Sequence, residues 1–221
     1  MMLVWRRVRS YISRVIGLGL CSALFGTGLL ALGREAQAAR VLYAAAPQRA
    51  LAMRQYDPGW QAASTSGLTQ LMRACAESLL GEDVVRLSPR LRDEIAGSCR
   101  LAVRGVLQQN PSFARALAVD LLVAQPPVMA AAYAQAQAAA PFEPWPLQIR
   151  ILAADRLARM QATEISPDFI AVLSKDLLYL IQVAWGQDLL RQLYAQDSPL
   201  RPLIQGLAQQ QPDPPKGGEN G

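Results

Sequence analysis

The 221 residues contain no histidine. That one absence removes the commonest general base, the commonest switch near neutral pH and the commonest transition-metal ligand. Also missing are a phosphate-cradling glycine loop, a dinucleotide fingerprint, a zinc pattern, a serine-nucleophile elbow and a Cys-x-x-Cys pair. No stretch alternates apolar and polar residues between hairpin turns, so a β fold has no support. Outside one N-terminal stretch, no apolar run is long enough to cross a bilayer. Cysteine is scarce, with Cys21, Cys75 and Cys99 the full complement.

Net positive charge is also missing from most of the chain. The formal charge is +5, but residues 1–38 hold five arginines against one acid. The other 183 residues carry seventeen bases and sixteen acids, with no basic run. Nucleic-acid binding, which draws its affinity from phosphate neutralisation, is therefore not expected.

What is present begins with residues 15–32, VIGLGLCSALFGTGLLAL, eighteen residues without a charge. Arg6, Arg7, Arg9 and Arg14 precede it with no acid among them. Such a cationic start stays in the cytoplasm and directs the following chain outward. Two outcomes are open. A cleaved signal peptide has an apolar stretch of roughly 7–15 residues and small residues at the cut; a retained anchor needs about 17–25 apolar residues. The glycines dilute the apolar run, and Ala36-Gln37-Ala38 followed by Ala39 supplies the small-x-small cleavage pattern. The chain divides into a signal peptide or anchor (1–38), one helical domain (39–208) and a polar, disordered tail (209–221). Arg6-Arg7 lacks the flanking residues of a twin-arginine signal. Cys21 follows Leu20, not the small residue of a lipoprotein signal, and reads as a buried apolar cysteine.

The body reads as all-α. Residues 40–56 are helix-forming but interrupted at Pro47. A short polar residue precedes proline at Asp57-Pro58, Ser88-Pro89, Asn110-Pro111, Ser166-Pro167 and Ser198-Pro199, each pairing an N-cap with proline at the first helical position. Apolar residues keep helical spacing over 68–80 and 89–108. Further helices are expected from Pro111 to about Ala124 (stopped by Pro126-Pro127), over 128–140, after a proline–aromatic joint at 141–146 to about Ala162, and from Ser166 to about Ala195. In the last, Asp168 lies in the positive first turn and Gly186 is a candidate kink.

The runs RALAMRQYDPGWQAA and RGVLQQNPSFARAL resemble helix–helix junctions of tetratricopeptide arrays. The likeness covers these junctions alone, and the prolines are unevenly spaced where such arrays keep a steady ~34 residues. A helical bundle or short irregular array of αα-hairpins is the expected fold, with a degenerate tetratricopeptide-like solenoid as the alternative.

Several residues are candidates for function. Cys75 and Cys99 lie on the apolar faces of consecutive helices, on either side of a turn at 81–88. In an oxidising compartment such a pair forms a structural disulfide, the alternative being two buried thiols. Glu82-Asp83 and Asp93-Glu94 are adjacent, so they point to different sides of a helix and make a solvated surface rather than a cation site. Asp120 stands among apolar neighbours and calls for an arginine, Arg104 or Arg115. Asp155 and Arg159 have the spacing of ordinary helix support. Phe142 and Trp145 in the joint, with Trp60 and Trp185, are candidate partner contacts, because aromatic side chains dominate binding hot spots.

No cofactor or metal site is expected. The composition and architecture point to an exported, non-catalytic helical accessory or adaptor of the bacterial envelope, periplasmic or anchored in the inner membrane through residues 15–32, with an envelope protein as partner. The alternatives are a histidine-free enzyme acting through Asp or Glu, as some carbohydrate-active enzymes do, and a binder of lipid or another apolar ligand.

Overall fold

The computed structural model describes residues 2–43, 48, 52–53, 64–81, 88–124, 128–160 and 166–210. The expectations for Pro47, Asp57-Pro58, Trp60, Glu82-Asp83, Pro126-Pro127 and the tail beyond residue 210 lie outside these. Of Arg6, Arg7, Arg9, Arg14 and Ala38 only the helical backbone is described.

Among the described residues there are nine helices and no strand. They are α1 (Met2–Tyr43), α2 (Thr65–Leu80), α3 (Pro89–Gln109), α4 (Ala114–Val123), α5 (Met129–Ala139), α6 (Pro144–Met160), α7 (Pro167–Gln182), α8 (Ala184–Ala195) and α9 (Arg201–Gln209). The chain is an all-α protein with an N-terminal apolar helix.

Helix–helix packing is most extensive between elements one or two apart in the chain: α2 with α3 and α4, α4 with α5 and α6, α7 with α5, α6, α8 and α9. α4 and α6 form the middle. Ala116, Leu117, Ala118, Val119, Leu121 and Leu122 are buried around nearly the whole circumference of α4. α6 is similarly enclosed, as expected for helices with neighbours on several sides. α2 and α3 each bury one stripe, on which Cys75 and Cys99 both sit.

Local chemistry accounts for several boundaries. Ser64 caps α2 by accepting from the Gly67 N–H, at 3.0 Å. Ser88 and Ser166 cap α3 and α7 through the Leu91 and Phe169 N–H groups, both 3.3 Å, and proline follows each. At those two sites the polar–proline reading holds.

It fails at two others. Asn110 ends α3, donating its N–H to the Val106 carbonyl at 2.9 Å, and α4 starts only at Ala114. The Ser198 hydroxyl bonds to Asp155 and accepts from the Leu200 N–H, while α9 begins at Arg201 with Pro202 in its first turn. The same dipeptide makes turns as well as caps, because proline forces the residue before it out of the helical region. Asp197, at φ 49, turns the chain there in the left-handed region that Asp tolerates.

The helix expected over 166–195 is two helices. Val183 is extended, and α7 and α8 meet at 114°. The bend turns Leu189, Leu190 and Leu193 back onto the core that Leu173, Leu177 and Leu180 enter. Gly186, three residues past the break, is needed for proximity rather than as the kink itself. A Cβ there would stand 2.7 Å from the Leu180 Cα and closer still to its carbonyl oxygen. The proline–aromatic joint is also shorter than expected. Pro144, Trp145 and Pro146 already belong to the first turn of α6, where proline's missing N–H costs nothing.

Candidate functional site

The region around Phe142 and Trp145 is built from the inside out, on a buried ionic junction that the sequence does not advertise. Arg150 on α6 is wholly buried and Asp176 on α7 is 3% exposed. The guanidinium grips the carboxylate with two bonds, Nε to Oδ2 at 2.7 Å and Nη2 to Oδ1 at 3.1 Å. Its other donors reach the Ala140 carbonyl at 2.9 Å, Pro141 at 3.2 Å and Ala136 at 3.4 Å. Arginine has five N–H donors, and all five have acceptors here.

The carboxylate is equally saturated. Tyr133 Oη donates to Oδ2 at 2.8 Å, and Gln137 Nε2 to Oδ1 at 2.7 Å. Both come from α5, whose C-terminal carbonyls Arg150 caps. A cation at a helix C-terminus also meets the favourable end of its dipole. Burial and the neighbouring Asp176 charge hold the Tyr133 phenol well above its ordinary pKa, so it remains a donor. Three helices are thus locked by one satisfied network.

That lock sets the surface above it. Ala140 and Pro141, whose carbonyls Arg150 holds, directly precede Phe142. Tyr179 follows Asp176 by three residues on α7, hence on the same side of the helix. The Phe142 and Tyr179 rings stand 4.8 Å apart, and Trp185, in the first turn of α8, lies 6.4 Å beyond Tyr179. Phe142 is 61% exposed. The three rings form a fixed aromatic face fed by three elements.

The other aromatic candidate is placed elsewhere. Trp145 is half-buried against the core, with the Arg115 guanidinium 5.8 Å from its ring centre. Arg115 pairs with Glu143 at 2.9 Å, so it is not the partner expected for Asp120. Asp120 instead lines a cleft of about 630 Å³ with Arg100 and Arg104. Burial raises its pKa, and the charges of Arg104 and Arg100 offset that in part.

Asp155 has more than a helix-support role. It is buried, takes Arg159 Nε on Oδ2 at 2.8 Å and the Ser198 hydroxyl on Oδ1, and so ties α6 to the turn before α9. Asp93 is exposed and Glu94 pairs with Arg90 one turn away, as a solvated helix face does. Cys75 and Cys99 lie at disulfide distance across the α2–α3 seam, with Cα atoms 5.6 Å apart. Cys21, expected to be buried, is exposed with the rest of its apolar stretch. Ala36 is exposed and Ala39 half-buried, both inside the unbroken α1. Among the described residues no three His, Cys, Asp or Glu side chains converge as a metal site would require.

Sequence reasoning missed Arg150 and Asp176. The available signal was an arginine flanked by two isoleucines, Ile149 and Ile151, within one helix. Such a charge has no water to face and needs a buried partner.

No protein-family model matches the chain, and no curated protein or solved structure shows significant similarity to it.

Proposed function

We propose that this chain is a non-catalytic adaptor of the bacterial cell envelope, exported and held at the inner membrane by α1, which receives a protein partner on the Phe142–Tyr179–Trp185 face. The observation that carries this reading is the pairing of an exposed Phe142 ring, backed by the half-buried Tyr179 and Trp185, with a fully satisfied buried network beneath them. Interface hot spots are enriched in aromatic anchors, and side chains already fixed in place lose less entropy on binding. The basic start, the uncovered apolar helix and the close cysteine pair support export.

The alternative of a histidine-free enzyme calls for two carboxylates facing one cleft. Asp120 is the only carboxylate among the described residues lining its cleft. A second cleft is lined by Asp93 and Asp155, but both Asp155 oxygens are taken by Arg159 and Ser198. That pair does not favour the enzyme reading over the adaptor.

A photo-crosslinking residue in place of Phe142 tests the proposal, with one in place of the exposed Gln148 as control. A discrete adduct in envelope fractions is expected from position 142, absent from 148 and lost on Trp185→Ala. Equal adducts from both positions, or none from 142, would overturn it.

A further inference from the structure

The second cleft, of about 510 Å³, lies where α6 approaches the end of α2 and the first half of α3. That volume falls in the range of small-ligand sites. Leu79 and Leu152 supply apolar wall, and the charged lining is three arginines, Arg92, Arg156 and Arg159, against two carboxylates, Asp93 and Asp155. On α6 the lining residues Leu152, Asp155, Arg156 and Arg159 form a single stripe, spaced as one face of a helix requires.

The guanidiniums differ in commitment. Arg159 is held by Asp155 at 2.8 Å and by the Gln196 carbonyl at 2.9 Å. Asp155 is itself used up, its second oxygen taken by Ser198. Arg156 is half-buried yet among the described residues reaches only the Leu79 carbonyl, at 3.5 Å. Arg92 makes no ion pair among the described residues. Among the described residues, Arg92 and Arg156 therefore face the cleft without an ion pair, although Asp93 also lines it. Each fork has a geometry suited to an oxyanion.

We infer that this cleft binds an amphiphilic oxyanion, a carboxylate or phosphate head on a short apolar body, with Arg92 and Arg156 on the head and Leu79 and Leu152 against the body. The inference is independent of the aromatic face and of the adaptor reading, since the two sites share no residue.

The test is isothermal titration of the full chain in nanodiscs with hexanoate and with hexyl phosphate, against hexanol as the neutral control and empty nanodiscs for partitioning. At least one anion should bind while hexanol does not. Arg156→Gln should weaken that binding about tenfold or more, the loss expected for a charge-assisted contact. Arg92→Gln, at an exposed position that cannot disturb folding, should weaken it as well. Binding of hexanoate alone would identify a carboxylate ligand such as a chain terminus or fatty acid. Binding of hexyl phosphate alone would identify a phosphate monoester. Either supports the site. Equal binding of hexanol, no binding of either anion at roughly 10 mM, or unchanged affinity in both variants would overturn it.

Discussion

At the scale of single residues, the Arg150–Asp176 junction determines most about this molecule. Replacing Asp176 by Asn leaves a buried guanidinium uncompensated, and the loss should be about 3–5 kcal/mol in urea unfolding. Simple buried pairs are often replaced by apolar residues at little cost. This one should not be, because the buried Ala140 carbonyl would lose its guanidinium donor and the buried Tyr133 hydroxyl its acceptor. An Arg150→Met, Asp176→Leu double variant should therefore remain destabilised, each buried orphan costing about 1–3 kcal/mol. Asp120 gives a second prediction, with pH as the variable. Burial raises its pKa against the pull of Arg104 and Arg100, so the folded chain holds this proton to higher pH than the unfolded chain does. Its contribution favours folding below the ordinary carboxylate range and is lost as pH climbs through the raised value. Asp120→Asn should raise the melting temperature at neutral pH, modestly because the group is partly solvated, and the gain should vanish in acid. A gain that persisted unchanged in acid would contradict this.

At the scale of helices, what could be read from the sequence and what could not divide by range. Ser88-Pro89 and Ser166-Pro167 cap helices through bonds three residues long, and local residues suffice to recognise them. Asn110-Pro111 and Ser198-Pro199 look the same locally, but their roles depend on where the next helix must pack. The α7–α8 break is of that kind, and Gly186 makes sense only beside Leu180. The Arg150 network joins residues 26 and 43 apart in the chain, beyond any periodicity. Phe142 was legible as a candidate contact, whereas its exposure and its separation from Trp145 were not, since the joint's end depends on where α6 begins. The α2–α3 hairpin was legible because both apolar stripes place their cysteines on the seam. With a sequence separation of 24, a bridge should contribute roughly 3 kcal/mol by restricting the unfolded chain. Cys75→Ser should then cost about 2–4 kcal/mol under oxidising conditions and much less under reducing ones. Two thiols that alkylate freely in the unfolded, unreduced protein would exclude the bridge.

At the scale of the whole molecule, the question is how the body stands relative to a membrane. The Ile16–Ala36 stretch, 21 residues, is long and apolar enough to span, and none of it is buried by the rest of the chain. At ~1.5 Å per residue it reaches about 30 Å, the thickness of the hydrocarbon core. The helix does not stop there. α1 continues to Tyr43 through Ala36-Gln37-Ala38 and packs on α2, where Glu35 accepts the Ser64 N–H at 2.8 Å. Ser64 is the residue that caps α2. Cleavage after Ala38 would remove Glu35 and return that exposed N–H to water, whereas a retained α1 joins the apolar stretch to the body through a defined contact. We therefore expect the mature protein from carbonate-washed membranes to keep its N-terminal residues, as intact-mass measurement would show. Glu35→Ala should raise amide exchange in the first turn of α2 without changing whether the chain sediments with membranes, since it removes one contact to α2 and leaves the apolar stretch intact. A mature N-terminus at Ala39 would refute retention but leave export standing, and full-length chain in the soluble cytoplasm would refute both.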